Sequence, residues 1–470
     1  MNQEQTIQSQ LPSVCKDAGN INVDAASSKA GGRYALRISI VAALGGLLFG
    51  YDTAIISGAM PFIRQYFHLN EYSLGWTVSS ILIGCGTGAA VAGIAADRFG
   101  RRFTLIICAL LFAISGVGAG VSTSLFIFIV FRLVGGLGVG AAAMVSPMYI
   151  AEMAPASRRG RLVSLYQLAI VSGILLAYFC NYLLADTGIH NWRWMFASQT
   201  IPAFLFLALL FIVPETPRWL AGKGRENEAW QVLKKTGGKD VEKALAEISN
   251  SFCREQKPIL PDIFSRRYLP IIRMGILIAV FQQITGINSV IYYAPMILKQ
   301  TGLSTSGSLF QTIGIGIINI AATLAAIGMV DKIGRKPLLL IGSFCMGLSV
   351  AGLGLCFHYR YFGNYAVIIA LLLYVASFSA TWGAVAWVYL SEIFPNRIRA
   401  LAMSMATMTL WAGDFAVTYT FPIMNEKLGI AVTFFVYAFI CAIVFVFIFV
   451  KVPETKKRSL EEIEKSLITI

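Results

Sequence analysis

The sequence predicts an all-α polytopic membrane protein, with twelve transmembrane helices in two pseudo-symmetric six-helix bundles. Three observations predict it. The first is composition: hydrophobic residues make up 57 % of the chain and charged residues 13 %, against roughly 25 % charged in an ordinary soluble domain. A soluble fold of 470 residues could not cover its surface with so few polar groups. The second is run length. A span needs about 20 apolar residues, and twelve runs approach that length: 38–59, 76–96, 103–122, 125–148, 163–184, 194–213, 270–298, 309–330, 337–357, 366–390, 400–424 and 430–450. The third is repetition. Asp97-Arg98-Phe99-Gly100-Arg101-Arg102 returns as Asp331-Lys332-Ile333-Gly334-Arg335-Lys336. Glu152 with Arg158, Arg159 and Arg161 returns as Glu392 with Arg397 and Arg399, and Pro214-Glu215-Thr216 returns as Pro453-Glu454-Thr455. The separations are 234 residues for Asp97, 240 for Glu152 and 239 for Glu215. Three landmarks in one order at nearly one spacing indicate two duplicated halves.

These marks divide the chain into a polar tail (1–33), a first bundle (34–217), a helical linker (218–269), a second bundle (270–452) and a short tail (453–470). The first tail has no apolar core or cleavage pattern of a signal peptide and reads as disordered. The net charge of +14 points to nucleic acid only until it is mapped. If the N-terminus is cytoplasmic, Arg64, Arg193, Lys299, Arg360 and Lys427 fall on outer loops and Arg132 falls inside a span. The remaining 32 of the 38 Lys and Arg residues face the cytoplasm. That asymmetry is the positive-inside pattern and fixes the orientation, with both termini inside a plasma membrane.

Cysteine and histidine usage narrows the chemistry. Cys85, Cys108, Cys180, Cys345, Cys356 and Cys441 lie in spans, and Cys15 and Cys253 fall on cytoplasmic segments. No disulfide pairing, CxxC motif or Cys/His metal cluster emerges. His68, His190 and His358 map to outer loops, so no histidine serves as a proton carrier within the membrane. No nucleophile–base pair occurs in any span, which argues against an enzyme.

Along the chain, span 1 carries an acid, Asp52, well inside its apolar run, and span 4 opens with Arg132. The glycines that follow, Gly135, Gly136, Gly138 and Gly140, read as a close helix contact, since no strand precedes them to make a phosphate loop. Span 5 carries Gln167. In the linker, 226–233 and 241–248 have apolar residues at helical spacing, and two or three short amphipathic helices are expected. Span 7 has the densest polar cluster: Gln282, Gln283, Thr285, Asn288 and Ser289, then Tyr292 and Tyr293. Span 8 has Asn319, span 10 Trp382 and Trp387, and span 11 Trp411 and Asp414. The tail ends in a short charged helix over 460–467.

Polar side chains in a span are costly and usually face the bundle interior or a watery cavity. Gln282, Gly286 and Ser289 share one helical face, with Gln283 and Asn288 beside it. Gly286 and Pro295 are expected to interrupt the helix, and broken helices near the midplane are where transporters build sites. Amides donate and accept without charge, which suits a neutral polyol. The alternative is that the amides only join helices. Asp52 and Arg132 each stand seven positions from the outer end of their spans, about 10 Å deep at 1.5 Å per residue. Equal depth permits a pair. The pair is either a static buried ion pair or a proton site whose carboxyl responds to the spacing of its arginine.

The paired Asp-Arg-x-Gly-Arg-Arg hairpins, the two Glu…Arg motifs, Pro214-Glu215-Thr216-Pro217-Arg218-Trp219-Leu220 and Gln282-Gln283-x-x-Gly286-x-Asn288 resemble those of sugar porters of the major facilitator superfamily. The resemblance covers 34–460. It is strongest to bacterial proton-coupled pentose and hexose symporters of the D-xylose–proton type, because Phe49-Gly50-Tyr51-Asp52 keeps an acid where facilitative glucose carriers have a neutral residue. The resemblance implies alternating access, with sugar, proton and lipid bilayer as partners, no cofactor, no nucleic acid and a functional monomer. It implies that Gln167, Gln282, Gln283, Asn288, Asn319 and Trp387 line the sugar site and that Tyr292 or Tyr293 gates it. Asp52 and Arg132 become the proton-coupling pair. Glu152, Arg159, Glu215, Arg335, Glu392 and Arg399 become a cytoplasmic lock of the outward-facing state.

The chain departs from the family twice. Gly383-Ala384 stands where Gly-Pro is usual in span 10, so the proline break is missing. In span 11, Leu410 replaces an amide and Asp414 replaces an asparagine, so Asp414 either binds a hydroxyl or is a second protonatable group. The competing functions are a uniporter with a structural Asp52–Arg132 pair, and a sugar sensor, which would need a long signalling tail where only about 20 residues follow position 450.

Overall fold

A computed structural model describes residues 25–155, 158–237, 240–254, 265, 268–362, 365–395 and 398–456. All regular structure among them is helical. Spans 1–5 are α1 (Ala25–Tyr66), α2 (Glu71–Phe99), α3 (Arg101–Val121), α4 (Leu125–Met153) and α5 (Arg159–Leu184). Span 6 is α6 (Asn191–Ser198) running into α7 (Thr200–Leu210). The linker holds three short helices, α8 (Pro217–Gly222), α9 (Glu226–Lys235) and α10 (Val241–Arg254), as its periodicity predicts. Span 7 is α11 (Leu269–Ile284) plus α12 (Ile287–Lys299), and spans 8 and 9 are α13 (Thr305–Ile333) and α14 (Arg335–His358). Span 10 is α15 (Ala366–Ala380) plus α16 (Trp382–Ile393), and spans 11 and 12 are α17 (Arg399–Leu428) and α18 (Ile430–Lys451). Eleven of the twelve spans are long and apolar enough to cross a membrane by composition. The twelfth, α17, is a 30-residue helix diluted by polar residues, Asp414 among them.

Side-chain caps fix several helix starts. Asn70 accepts from the Ser73 N–H at 2.8 Å, and Ser304 accepts from the Gly307 N–H at 3.0 Å, satisfying amides that have no partner within the helix. The hairpins 2–3 and 8–9 turn on Gly100 (φ 100°) and Gly334 (φ 110°), a conformation costly for any residue with a Cβ. Large apolar side chains such as Ile94, Phe126, Ile201 and Phe439 point outward, as a lipid-facing surface requires. In lipid, helices gain by close approach of small residues. A methyl group on Gly136 or Gly140 of α4 would overlap the Ile81 or Cys85 carbonyl of α2, so the span-4 glycines are packing residues, as expected.

Each bundle packs on itself, and the two meet along α2–α17, α5–α13 and α1–α12. Their side-chain contacts cluster in the half remote from the charged hairpins. Trp76 lies edge-on to Phe415 with ring centroids 6.1 Å apart, Tyr182 meets Phe310 at 5.6 Å, and Lys427 sits 5.5 Å over the Tyr72 ring. Tyr178 donates to the Ile291 carbonyl at 2.9 Å.

Three expectations need correction. The first tail does not reach residue 33, because α1 already begins at Ala25; residues 1–24 and the helix expected over 460–467 lie outside the described residues. Span 7 breaks at Thr285–Gly286 but not at Pro295, which sits inside α12. Its ring removes one N–H only, and the turn before it is fully buried and held by neighbours. Span 10 breaks even without its proline, at Thr381 (φ −129°, ψ −86°).

Candidate functional site

The break in span 7 is built from local polar bonds. Gly286 adopts φ 96°, ψ 13°, and its N–H donates to the Gln283 carbonyl at 2.9 Å. The Thr285 hydroxyl donates to the Gln282 carbonyl at 3.2 Å. The Thr285 carbonyl accepts from the Tyr374 hydroxyl at 2.7 Å, and Ser289 and Tyr437 share a hydrogen bond of 3.1 Å. A Cβ on Gly286 would stand 3.0 Å from the Tyr437 ring. An irregular backbone inside a membrane survives where protein groups satisfy it, and spans 10 and 12 do so here. Because the helix is interrupted, Gln282 and Ser289 do not share a continuous face as their spacing suggested: Ser289 turns to span 12 and Gln282 to span 10.

Gln282 Nε2 donates to the Trp382 carbonyl at 3.3 Å, linking the break of span 7 to the break of span 10. Trp382 is held in turn by its indole N–H, which donates to the Leu339 carbonyl at 3.1 Å and to Ser343 Oγ at 3.0 Å. The buried Gln282 Oε1 has no partner among the described residues, so an acceptor is left open beside both breaks. Asn288 Nδ2 donates to Gln283 Oε1 at 2.9 Å. The nearby Asp414 carboxylate accepts from Thr418 Oγ1 at 3.1 Å. Asn319 is buried and accepts from Ser379 at 2.8 Å, and Trp387 is half-buried. Tyr292 is buried. Tyr293 donates to the Thr418 carbonyl at 2.9 Å and stacks on Phe421.

The first bundle offers fewer polar groups to this wall. Gln167 is half-buried and makes no hydrogen bond among the described residues. Phe49 reaches across to Trp411, with ring centroids 5.8 Å apart. Trp411 is 6 % exposed and its indole N–H has no partner among the described residues. In the sequence the only signal for Trp411 is a tryptophan close to an acid, Asp414, within one span.

Asp52 and Arg132 do pair, at 2.6 Å between Oδ1 and NH1, with both side chains at 0 % exposure. The pair is single-pronged. Asp52 Oδ2 and Arg132 Nε and NH2 are buried without partners among the described residues. The guanidinium lies 5.6 Å over the Phe196 ring, and Gly135 and Ser115 close the space beside the carboxylate.

The charged hairpins repeat one construction in each bundle. Glu215 accepts the backbone N–H groups of Arg101 (3.1 Å) and Arg102 (3.0 Å) at the start of α3. Glu454 accepts those of Arg335 and Lys336, both at 3.1 Å, at the start of α14. An anion at a helix N-terminus meets unpaired amides and the positive end of the helix dipole. Burial pushes the Glu215 carboxyl above its ordinary value, and its three backbone N–H bonds and Arg101 recover part of the shift. Arg101 pairs with Glu152 at 3.1 Å, and Arg335 with Glu392 at 2.7 Å. These pairs lie within single bundles. Arg159 is exposed, and Arg399 Nε donates to the Phe394 carbonyl at 3.0 Å. Among the described residues, Glu152 and Glu215 meet through Arg101 in the first bundle, and Glu392 and Glu454 meet through Arg335 in the second. A cavity of about 530 Å³ lined by Arg102, Phe103, Trp219 and Arg225 lies between the first hairpin and the linker, away from the span-7 wall.

Two bundles meeting around a wall of buried amides, with a charged pair in the first bundle and twinned hairpins on one face, define a membrane transport protein. The chain belongs to the sugar (and other) transporter family, whose pattern matches residues 38–467. It is 42 % identical to the D-xylose-proton symporter of Escherichia coli K12 over 474 aligned residues, covering 92 % of this chain and 95 % of that protein. It is 39 % identical to the arabinose-proton symporter of Bacillus subtilis strain 168, covering 92 % and 95 %. It is also similar to the inward-open structure of the xylose transporter XylE from E. coli, with a TM-score of 0.83 and 40 % identity over 92 % of this chain and all of that one. XylE bound to 6-bromo-6-deoxy-D-glucose matches with a TM-score of 0.79 and 40 % identity, over 93 % of this chain and 99 % of that one.

Proposed function

We propose that this protein is a proton-coupled monosaccharide symporter for D-xylose-like pentoses and hexoses, working by alternating access. The observation that carries the reading is the division of polar groups within the membrane. Uncharged amides gather at the breaks of spans 7 and 10, and a buried Asp52–Arg132 pair stands apart from them in the other bundle. Amides match the hydroxyls of a neutral sugar, and the sugars in the relatives' names agree. Gln282 Oε1 and the indole N–H of Trp411 offer an acceptor and a donor, and Gln167, Gln283, Asn288, Asn319 and Trp387 complete the site. Asp52 Oδ2, unpartnered, takes the proton while Oδ1 keeps Arg132. A change in the distance between spans 1 and 4 then loads or releases it.

The bundle contacts remote from the hairpins support an inward-facing state, and the distribution of Lys and Arg supports a cytoplasmic hairpin face and cytoplasmic termini. In the outward-facing state Glu152, Arg159, Glu215, Arg335, Glu392 and Arg399 close that face, anchored by Arg101 and Glu454. Tyr292 and Tyr293 gate the opposite side, and a single chain suffices. The test is competition by a monosaccharide panel against labelled D-xylose uptake into proteoliposomes, with and without a pH gradient. Competition by pentoses and hexoses together with gradient-driven uptake supports the reading. Saturable uptake indifferent to the gradient would make the protein a uniporter.

A further inference from the structure

Asp414 is the second acid inside the membrane, and its surroundings differ from those of Asp52. It is 2 % exposed, and among the described residues no Lys, Arg or His lies within ion-pair distance of it. Its hydrogen-bond partner is neutral, the Thr418 hydroxyl on its own helix at 3.1 Å. A buried carboxylate without a cation is costly, and one neutral hydrogen bond offsets only part of that.

The elements packed on α17 carry few titratable groups toward it. Span 2 presents the Cys85 thiol. α12 presents Tyr292 and Tyr293, the latter bonded to the Thr418 carbonyl. α11 presents the neutral Gln283, and span 12 presents Tyr437, which is bonded to Ser289. The acid of α16, Glu392, is engaged with Arg335 at the hairpin face.

The amide of Asn288 on α12 gives one N–H to Gln283 Oε1 and lies near Asp414. Resting on the symporter reading above, we propose that Asp414 is a second proton-binding residue inside the sugar site, whose protonated carboxyl donates to a sugar hydroxyl. In this step a proton from water joins one oxygen of the Asp414 carboxylate, and the new carboxyl O–H donates to a sugar hydroxyl oxygen. When the sugar leaves, the proton returns to water. Proton and sugar therefore favour each other at Asp414, and the linkage is reciprocal.

The experiment measures D-xylose binding to detergent-solubilised full-length protein between about pH 5.5 and 8.5, with proton uptake followed by an indicator dye in weak buffer. Asp52→Asn leaves Asp414 as the acid under test. Its affinity should fall as pH rises, by at most about tenfold per pH unit, the limit for one linked proton, and it should take up protons as sugar binds. Asp52→Asn combined with Asp414→Asn should lose both effects. Asp52→Asn with Asp414→Glu should keep a pH dependence with a shifted midpoint, which separates titration from misfolding. Binding by Asp52→Asn that is independent of pH overturns the proposal. So does proton release on binding, which would make the charged carboxylate itself the hydroxyl acceptor. If the wild type binds no monosaccharide at any pH, the symporter reading falls and takes this inference with it.

Discussion

Arg132→Met tests the buried pair of the first bundle. Arg132 is fully buried, gives Asp52 its one charge-assisted bond at 2.6 Å, and has no solvent through which the remaining charge could be screened. Removing it strands a carboxylate whose second oxygen already lacks a partner. Breaking a buried pair from one side costs about 3–5 kcal/mol. The stranded acid can escape that cost only by taking a proton, so the loss should shrink as pH is lowered. Asp52→Asn with Arg132→Met removes both charges and should recover most of the lost stability, since replacing a whole buried pair by neutral groups is often nearly neutral. The assay is thermal unfolding in detergent, followed by fluorescence-detected gel filtration at several pH values. The reasoning is refuted if Arg132→Met melts like the wild type at alkaline pH, or if the double variant is less stable than Arg132→Met.

Other predictions follow from the span-7 wall, the twinned hairpins and the charge map. Gln283→Ala should weaken D-xylose binding by about 1–3 kcal/mol, the cost of leaving Asn288 and a sugar hydroxyl without their partner, with protein yield retained; normal affinity in titration calorimetry for both Gln283→Ala and Gln282→Ala would remove the span-7 wall from the sugar site. Glu454→Ala frees four backbone N–H groups, of Arg335, Lys336, Thr455 and Lys456, and should lower thermal stability by about 1–3 kcal/mol; Glu215→Ala should do the same in the first bundle, and two unchanged melting curves would deny the twinned construction a structural role. Single cysteines at 188 and 426 should label with an impermeant reagent from outside intact cells and ones at 158 and 240 should not; labelling of 240 would reverse the orientation.

Much of this architecture is legible in the chain because apolar run length and duplicated landmarks are local properties. Twelve runs and three repeated motifs place the helices to within a few residues, except α1, which begins at Ala25, well before its run. Equal depth of Asp52 and Arg132 anticipates a pair that the folded structure forms. What the chain hides is what depends on neighbours. Thr381 carries no breaker signal, and span 10 bends there because Trp382 is anchored to span 9 by two bonds from its indole. Pro295 carries a strong signal, yet its helix continues. Gln282 and Ser289 look co-facial on a continuous helix, and the left-handed turn at Gly286 sends them to different partners. Arg101 was readable only as one of three basic residues in a turn; its burial and its bond to Glu152 are tertiary facts.

The most direct measurement of the central claim is sugar accumulation in proteoliposomes under an imposed proton gradient, comparing wild type with Asp52→Asn. Proton and sugar moving together give the sugar a drive of roughly 2.3 kcal/mol per 100 mV of membrane potential, so the wild type should concentrate D-xylose above its external level. Asp52→Asn mimics the protonated acid permanently. It should still exchange labelled for unlabelled sugar down a gradient, because the loaded carrier need not release the Asp52 proton to shuttle, and it should accumulate less sugar than the wild type, with only the proton linked to Asp414 left to drive it. Accumulation by Asp52→Asn equal to that of the wild type would contradict the account, and a wild type that only equilibrates sugar would make the buried pair structural and the protein a uniporter.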